Sequence, residues 1–282
     1  MGYEASDGTR TATWEDRSVI ARSPTGFETI PAALASVIGP RPYEVIWCNE
    51  VGGVTVRLGD ARTGRYLKWA PAGSEEELLD EVRRLAWASR YTPVPQVVDT
   101  GVDDGGSWFE TVAIDGESAV APRWRREPAA AAAALGRGLR DLHDGLDAES
   151  CPFAWSAAQR LATVELRLDR GQLEGFEFEW EFAGYVVNDA LEEVRRVPDE
   201  DLVVCHGDAC APNTILDASG RWLAHVDLGR LGVADRWADL AVAAWSARWN
   251  YGPGWEDAVY EAYGVSADAP KIRYYRLLWA LE

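Results

Sequence analysis

Five side chains able to do chemistry fall inside one short stretch, VVCHGDACAPNTIL (residues 203–216): Cys205, His206, Asp208, Cys210 and Asn213. Thiolates and an imidazole are the common donors to zinc, and a thiol beside an imidazole is a nucleophile. A carboxylate with an amide oxygen offers hard ligands to a small divalent cation. A structural zinc site needs four Cys or His ligands, typically as two close pairs. Cys205, His206 and Cys210 have no second pair, because the other cysteines stand at 48 and 151 and His225 stands alone. Nor does the spacing bring an imidazole to either thiol to shift its pKa.

The third chemistry uses more of the chain. Asp208 precedes Asn213 by five positions, the spacing of the kinase catalytic loop H-R-D-x-x-x-x-N. Fourteen residues after Asn213, across the turn DASG, stands Asp227 in HVDLGR. A strand-turn-strand unit between the two returns the chain, so that Asn213 and Asp227 face one place. Their oxygens suit Mg²⁺, which also keeps water and takes phosphate oxygens. Asp208 is then placed to orient a substrate hydroxyl and take its proton.

The elements that must hold these residues divide into two sets. Residues 1–30 are a polar lead-in, and PAALASVIG (31–39) reads as a short helix between Pro31 and Gly39. YEVIWCN (43–49), VTVRLGD (54–60), GRYLKWA (64–70), PQVVDT (95–100) and SWFETVAI (107–114) read as strands. Between the third and fourth lies a helix over 74–91, with Ser74 and Glu77 as a capping box and Leu78, Val82, Leu85 and Ala86 as its buried stripe. Lys68, the only lysine before Lys271, sits on the third strand, where a kinase-type fold places the lysine that grips α- and β-phosphates. Glu81 on the following helix is its natural partner. The pattern then turns helical, beginning with EPAAAAAALGRGLRDLHDGL (127–146) and Pro128 at its first position. The expected organisation is α+β: an N-terminal nucleotide-binding lobe, 1–115, of antiparallel sheet with one inserted helix, and a larger, mainly helical catalytic and substrate-binding lobe, 116–282.

Charge narrows the partners. With 46 acidic and 28 basic residues the net charge is −18, which repels nucleic acid and draws in polycations. No apolar run approaches the ~18 residues of a membrane span, and the N-terminus lacks the pattern of a secretory signal. A cytoplasmic protein, monomeric or weakly dimeric and binding neither membrane nor nucleic acid, is expected.

VVCHGDACAPNTILD, followed by VDLGRLGVADRWADLAVA, resembles the aminoglycoside phosphotransferases, especially the 3′- and 3″-O-phosphotransferase branch. ESCPF (149–153), LRDLHDGL (139–146) and LKWAP match that branch as well. The resemblance implies a two-lobed protein-kinase-like fold, ATP or GTP as phosphoryl donor, Mg²⁺, and a polycationic aminoglycoside as acceptor. It implies Asp208 as the catalytic aspartate, Asn213 and Asp227 as metal ligands, and Lys68 with Glu81 as the nucleotide-binding pair. His206 and Asp239 would support the catalytic loop, and Val112 to Ile114 would be the hinge whose backbone meets the purine. The turn NEVGGVTV, with Gly52 and Gly53, stands where the family has a longer Gly/Ser-rich nucleotide loop.

The chain also departs from the family at its C-terminal end, KIRYYRLLWALE, where Trp279 and Ala280 stand in place of acids and Glu282 is the acid that remains. An exposed ion pair contributes roughly 0.2–1 kcal/mol, whereas micromolar affinity needs about 8 kcal/mol. A polyamine therefore needs several convergent carboxylates rather than a diffuse field. EGFEFEWEFAG (174–184) is the local source, with Glu177, Glu179 and Glu181 for charge and Trp180 as a face for sugar or cation. Another hydroxylated acceptor, or a nucleotide-binding module without turnover, stays open at this level.

Overall fold

The computed structural model describes residues 30–49, 51–73, 78–178 and 180–282. The Ser74–Glu77 capping box and Glu179 lie outside them, as does the lead-in to residue 29.

Helix α1 (Ala32–Ile38) begins at Pro31 and stops at Gly39, whose φ of +62° a Cβ-bearing residue would adopt only with strain. Five antiparallel strands follow: β1 (Tyr43–Cys48), β2 (Val54–Leu58), β3 (Arg65–Pro71), β4 (Val97–Asp103) and β5 (Gly106–Val112). Their order across the sheet is β1-β2-β3-β5-β4. Alternation sorts the side chains. Val54, Val56, Leu58, Leu67 and Trp69 turn to one face and pack on Leu34 and Ile38 of α1. Lys68 and its register partner Phe109 turn to the other, where α2 (Leu78–Ala88) lies. The sheet thus has a helix on each face.

Two local expectations shift. β4 runs on to Asp103, because the Asp103 carboxylate accepts the amides of Gly105 and Gly106 and closes a tight turn. On α2, Ala86 is exposed while Glu81, Trp87 and Ala88 are buried beside Leu78 and Leu85. The buried face is rotated toward Lys68 and takes in the Glu81 carboxylate, which the hydrophobic stripe leaves out.

The next strand pairs at once with the C-terminal half of the chain. β6 (Glu117–Ser118) pairs with β8 (Thr214–Leu216), and Ser118 Oγ donates to the carbonyl of Pro212 at 2.9 Å. Helix α3 (Pro122–Arg126) leads into α4 (Pro128–Gly145), each with proline in its first turn. Then come α5 (Ala157–Asp169), a 3₁₀ turn at Trp180–Phe182, and α6 (Val187–Val194). β7 (Leu202–Cys205) pairs antiparallel with β10 (Gly232–Asp235), and β8 with β9 (Trp222–His225). Helix α7 (Arg236–Tyr251) is buried on nearly every side, and α8 (Glu256–Tyr263) and α9 (Ala269–Leu281) pack around it. Among the described residues no helix is long and apolar enough to cross a membrane.

Candidate active site

β7 delivers the chain into the 203–216 loop. Its backbone is held from beneath by Asp239, in the first turn of α7 and fully buried. Asp239 accepts the amide of His206 at 2.6 Å, the amide of Gly207 at 3.0 Å and His143 Nε2 of α4 at 3.0 Å. Burial alone would raise the Asp239 pKa. The His143 hydrogen bond and charge, with His206, override it and hold the carboxyl below its ordinary value. Gly207 turns at φ +86°, and a Cβ there would lie 2.2 Å from the carbonyl oxygen of Arg230, so this turn accepts only glycine.

His206 fixes its own tautomer. Nδ1 accepts the Asp208 amide at 3.2 Å, so Nε2 carries the proton and donates to the Val226 carbonyl at 3.0 Å. The ring thereby ties the loop to the segment leading into Asp227. Asn213, closing the 3₁₀ turn Ala211–Asn213, donates Nδ2 to the Asp208 carbonyl at 3.0 Å and to Asp208 Oδ2 at 3.2 Å. With its nitrogen turned to Asp208, the oxygen is the atom Asn213 offers a cation. Strands β8 and β9 return the chain, and the Val226 amide bonds the Asn213 carbonyl at 2.9 Å. Asp227 follows directly, the one non-glycine among the described residues with positive φ, +67°. Such backbone conformations recur at functional sites.

Across the lobes, Lys68 Nζ donates to Glu81 at 2.8 and 3.0 Å and to Asp227 Oδ1 at 2.7 Å. Burial would lower the lysine pKa, but the two carboxylates raise it well above its ordinary value. Lys68 in turn holds Asp227 low against the opposing effect of burial. The Lys68 and Glu81 side chains are 19% and 5% exposed, while that of Asp227 is 47% exposed. Asn213 and Asp227 are thus hard oxygen donors suited to Mg²⁺.

The thiol and zinc chemistries find no support. Burial raises both the Cys205 and Cys210 thiols well above their ordinary pKa, with nearby aspartates adding to it. His143, Cys205 and Asp239 do cluster. Yet Asp239 already accepts three N–H groups, His143 Nδ1 meets Tyr263 Oη at 2.8 Å, and Cys205 donates to the Asp235 carbonyl.

The other expected residues divide. Gly52 turns at φ +89° between β1 and β2, and the Gly53 amide donates to Asn49 Oδ1. At the hinge, the amides of Val112 and Ala113 bond the carbonyls of Gln96 and Gly64, both at 3.0 Å. The Ile114 carbonyl accepts the Gly116 amide at 2.8 Å. Glu177 is exposed. Glu181 is exposed and pairs with Arg276 at 3.0 Å. Glu282 makes a bidentate contact to Arg160 at 2.8 and 3.2 Å, with side chains 7% and 2% exposed. Its tail is docked inward because Arg160 of α5, itself stacked on Trp155, needs a counter-charge. His143, Arg160, Arg276 and Arg84 were not anticipated as site-supporting residues. The one available signal was a histidine on an otherwise apolar helix face.

The model of the phosphotransferase enzyme family matches residues 51–275. An aminoglycoside 3'-phosphotransferase of Streptomyces fradiae is 36% identical over 76% of this chain and 84% of its own. The crystal structure of an aminoglycoside-3'-phosphotransferase of type VIII superposes with a TM-score of 0.75 at 33% identity, covering 89% of this chain and 97% of that one. APH(3'')-Id of Streptomyces rimosus, solved with ADP and streptomycin, gives a TM-score of 0.70 at 28% identity over 88% and 95%. A likeness that spans residues 51–275, Lys68 and Asp227 among them, makes the chain a member of the phosphotransferase enzyme family and, within it, of the aminoglycoside phosphotransferases.

Proposed function

We propose that the chain transfers the γ-phosphoryl group of ATP or GTP to a hydroxyl of an aminoglycoside. The observation that carries this reading is the convergence of Lys68, Glu81 and Asp227 across the lobes beside the Asn213–Asp208 pair. Lys68, on exchanging Asp227 for phosphate oxygens, neutralises charge there while Glu81 keeps it in place. Asp208 accepts the acceptor hydroxyl's proton and aims the oxygen, its carboxylate steadied by Asn213. Asn213 and Asp227 would hold Mg²⁺, which would supply neutralising charge at the phosphates. The protein's contribution is then positioning and electrostatics.

On the acceptor side, Glu177 is an exposed acid for an ammonium-rich ligand, with the net charge of −18 steering it in. A second reading keeps the transfer but changes the acceptor to another hydroxylated molecule. It is favoured by the engagement of Glu181 and Glu282 with Arg276 and Arg160.

A nucleotide-turnover assay over a panel of aminoglycosides, with ATP and GTP in parallel and Asp208→Ala as control, decides between them. Turnover with a 3′-hydroxyl drug that the variant loses supports the first reading. Silence across the panel from protein that binds nucleotide overturns it in favour of the second.

A further inference from the structure

Glu81, Arg84 and Trp87 recur every three residues along α2 and so share one face of the helix. All three meet the second lobe. The backbone of Gly229 lies against Glu81, since a Cβ there would sit 3.8 Å from Oε2. Arg84 Nε donates to the Leu231 carbonyl at 3.0 Å, and its guanidinium lies 5.1 Å over the ring of Phe153. Trp87 meets that ring edge-on, with centroids 6.1 Å apart and planes at 87°. Gly229 and Leu231 belong to the loop that carries Asp227. The helix bearing the Lys68 partner is therefore fastened to the loop bearing the expected metal ligand, and Arg84 supplies a side-chain hydrogen bond from α2 to that loop.

We infer that Arg84 is a positioning residue: it docks α2 on the 227–231 loop, so that Lys68, Glu81 and Asp227 keep their mutual geometry before nucleotide arrives. Nucleotide then meets a preset site and does not have to draw the helix in, which lowers the ordering cost of binding. The inference rests on the phosphotransferase reading for its kinetic consequence, whereas the docking itself is read without any acceptor.

The test uses the full chain and two variants. Arg84→Met keeps the stem over Phe153 and removes the donor, and Arg84→Gln returns an N–H. Amide hydrogen exchange and calorimetric binding of Mg–ADP are the readouts. In Arg84→Met the amides of 78–88 exchange faster while those of 236–251 keep their protection. Mg–ADP binds about tenfold more weakly, the effect of losing one charge-assisted hydrogen bond, and Arg84→Gln recovers part of both. Unchanged exchange in 78–88 with unchanged affinity overturns the inference. So does faster exchange spread evenly over the chain, which marks a general loss of stability. Should Arg84→Met not fold, Phe153→Leu is judged by the same contrast between local and even loosening. Wild-type protein that binds Mg–ADP but turns over no aminoglycoside removes the proposed acceptor and leaves this inference standing.

Discussion

Lys68 Nζ stands 2.7 Å from Asp227 Oδ1, a contact between residues 159 positions apart that closes the two lobes on one another. The same ammonium holds Glu81, so three charges of α2, β3 and the 227–231 loop form a single group. A change at any one of them alters the site and the packing together.

Replacing Lys68 by Met removes two charge-assisted bonds to a carboxylate that is 5% exposed. The expected cost is about 3 kcal/mol of stability, read by urea denaturation, together with a fall in turnover of two orders of magnitude or more. Lys68→Met combined with Glu81→Leu recovers stability but not turnover, because a buried pair can be replaced by apolar groups while its chemistry cannot. A double variant as unstable as the single one contradicts the argument.

Gly207→Ala places a Cβ 2.2 Å from the Arg230 carbonyl at a φ of +86°. The loop must shift, and with it the two amides held by Asp239 and the attached Asp208. Turnover should fall at least tenfold with nucleotide affinity little changed, since Lys68 and Glu81 lie on other elements. A Gly207→Ala enzyme with wild-type kcat would show that the turn is less constrained than its contacts indicate.

How much of this was legible in the sequence follows from distance along the chain. Asp208, Asn213 and Asp227 share one loop and its hairpin, so their spacing was enough to predict their approach. Lys68 and Glu81 are separated by a strand end and one helix start, and the place of Lys68 on the third strand of a kinase-type fold, with a helix following, carries that expectation. The arginines were illegible for the opposite reason. Arg160 reaches Glu282 over 122 positions and Arg276 reaches Glu181 over 95, through long side chains that carry no periodic signal. Two of the acids read as substrate ligands from their type, Glu181 and Glu282, have arginine partners, and the choice between ligand and ion pair is made by tertiary packing. For the same reason periodicity placed Ala86 inside and gave Glu81 no reason to be buried.

Acid sensitivity should begin above the carboxylate range. His225 is 1% exposed, and burial first, then the neighbouring His206, lowers its pKa to about 3. In the unfolded chain it titrates near pH 6.5. Between those values the unfolded state binds a proton that the folded state refuses, so stability falls as pH drops from about 6.5 towards 3. The slope approaches 1.4 kcal/mol per pH unit for this one group. Asp239, with its pKa depressed in the fold, contributes stability above its unfolded value near 4 and loses it only at lower pH. His225→Phe should therefore flatten the stability profile between pH 6 and 4 while leaving the steeper loss below 4. An unaltered slope between pH 6 and 4 in that variant assigns the effect to other groups.

Arg160 is 2% exposed at its side chain, held by Glu282 and stacked on Trp155 at 5.6 Å. If this pair serves to dock α9 on α5, Glu282→Ala leaves a buried guanidinium without its carboxylate and costs about 3–5 kcal/mol. Arg160→Met with Glu282→Leu restores most of it. If Glu282 instead binds the acceptor's ammonium groups, Glu282→Gln should raise the acceptor KM with stability near wild type, and the double replacement should not restore the KM. Denaturation and acceptor kinetics on the same three variants separate the two roles. The buried geometry favours the first: a guanidinium that has lost its water is held by the carboxylate that replaced it, and an incoming ammonium would have to break that pair before it could use Glu282.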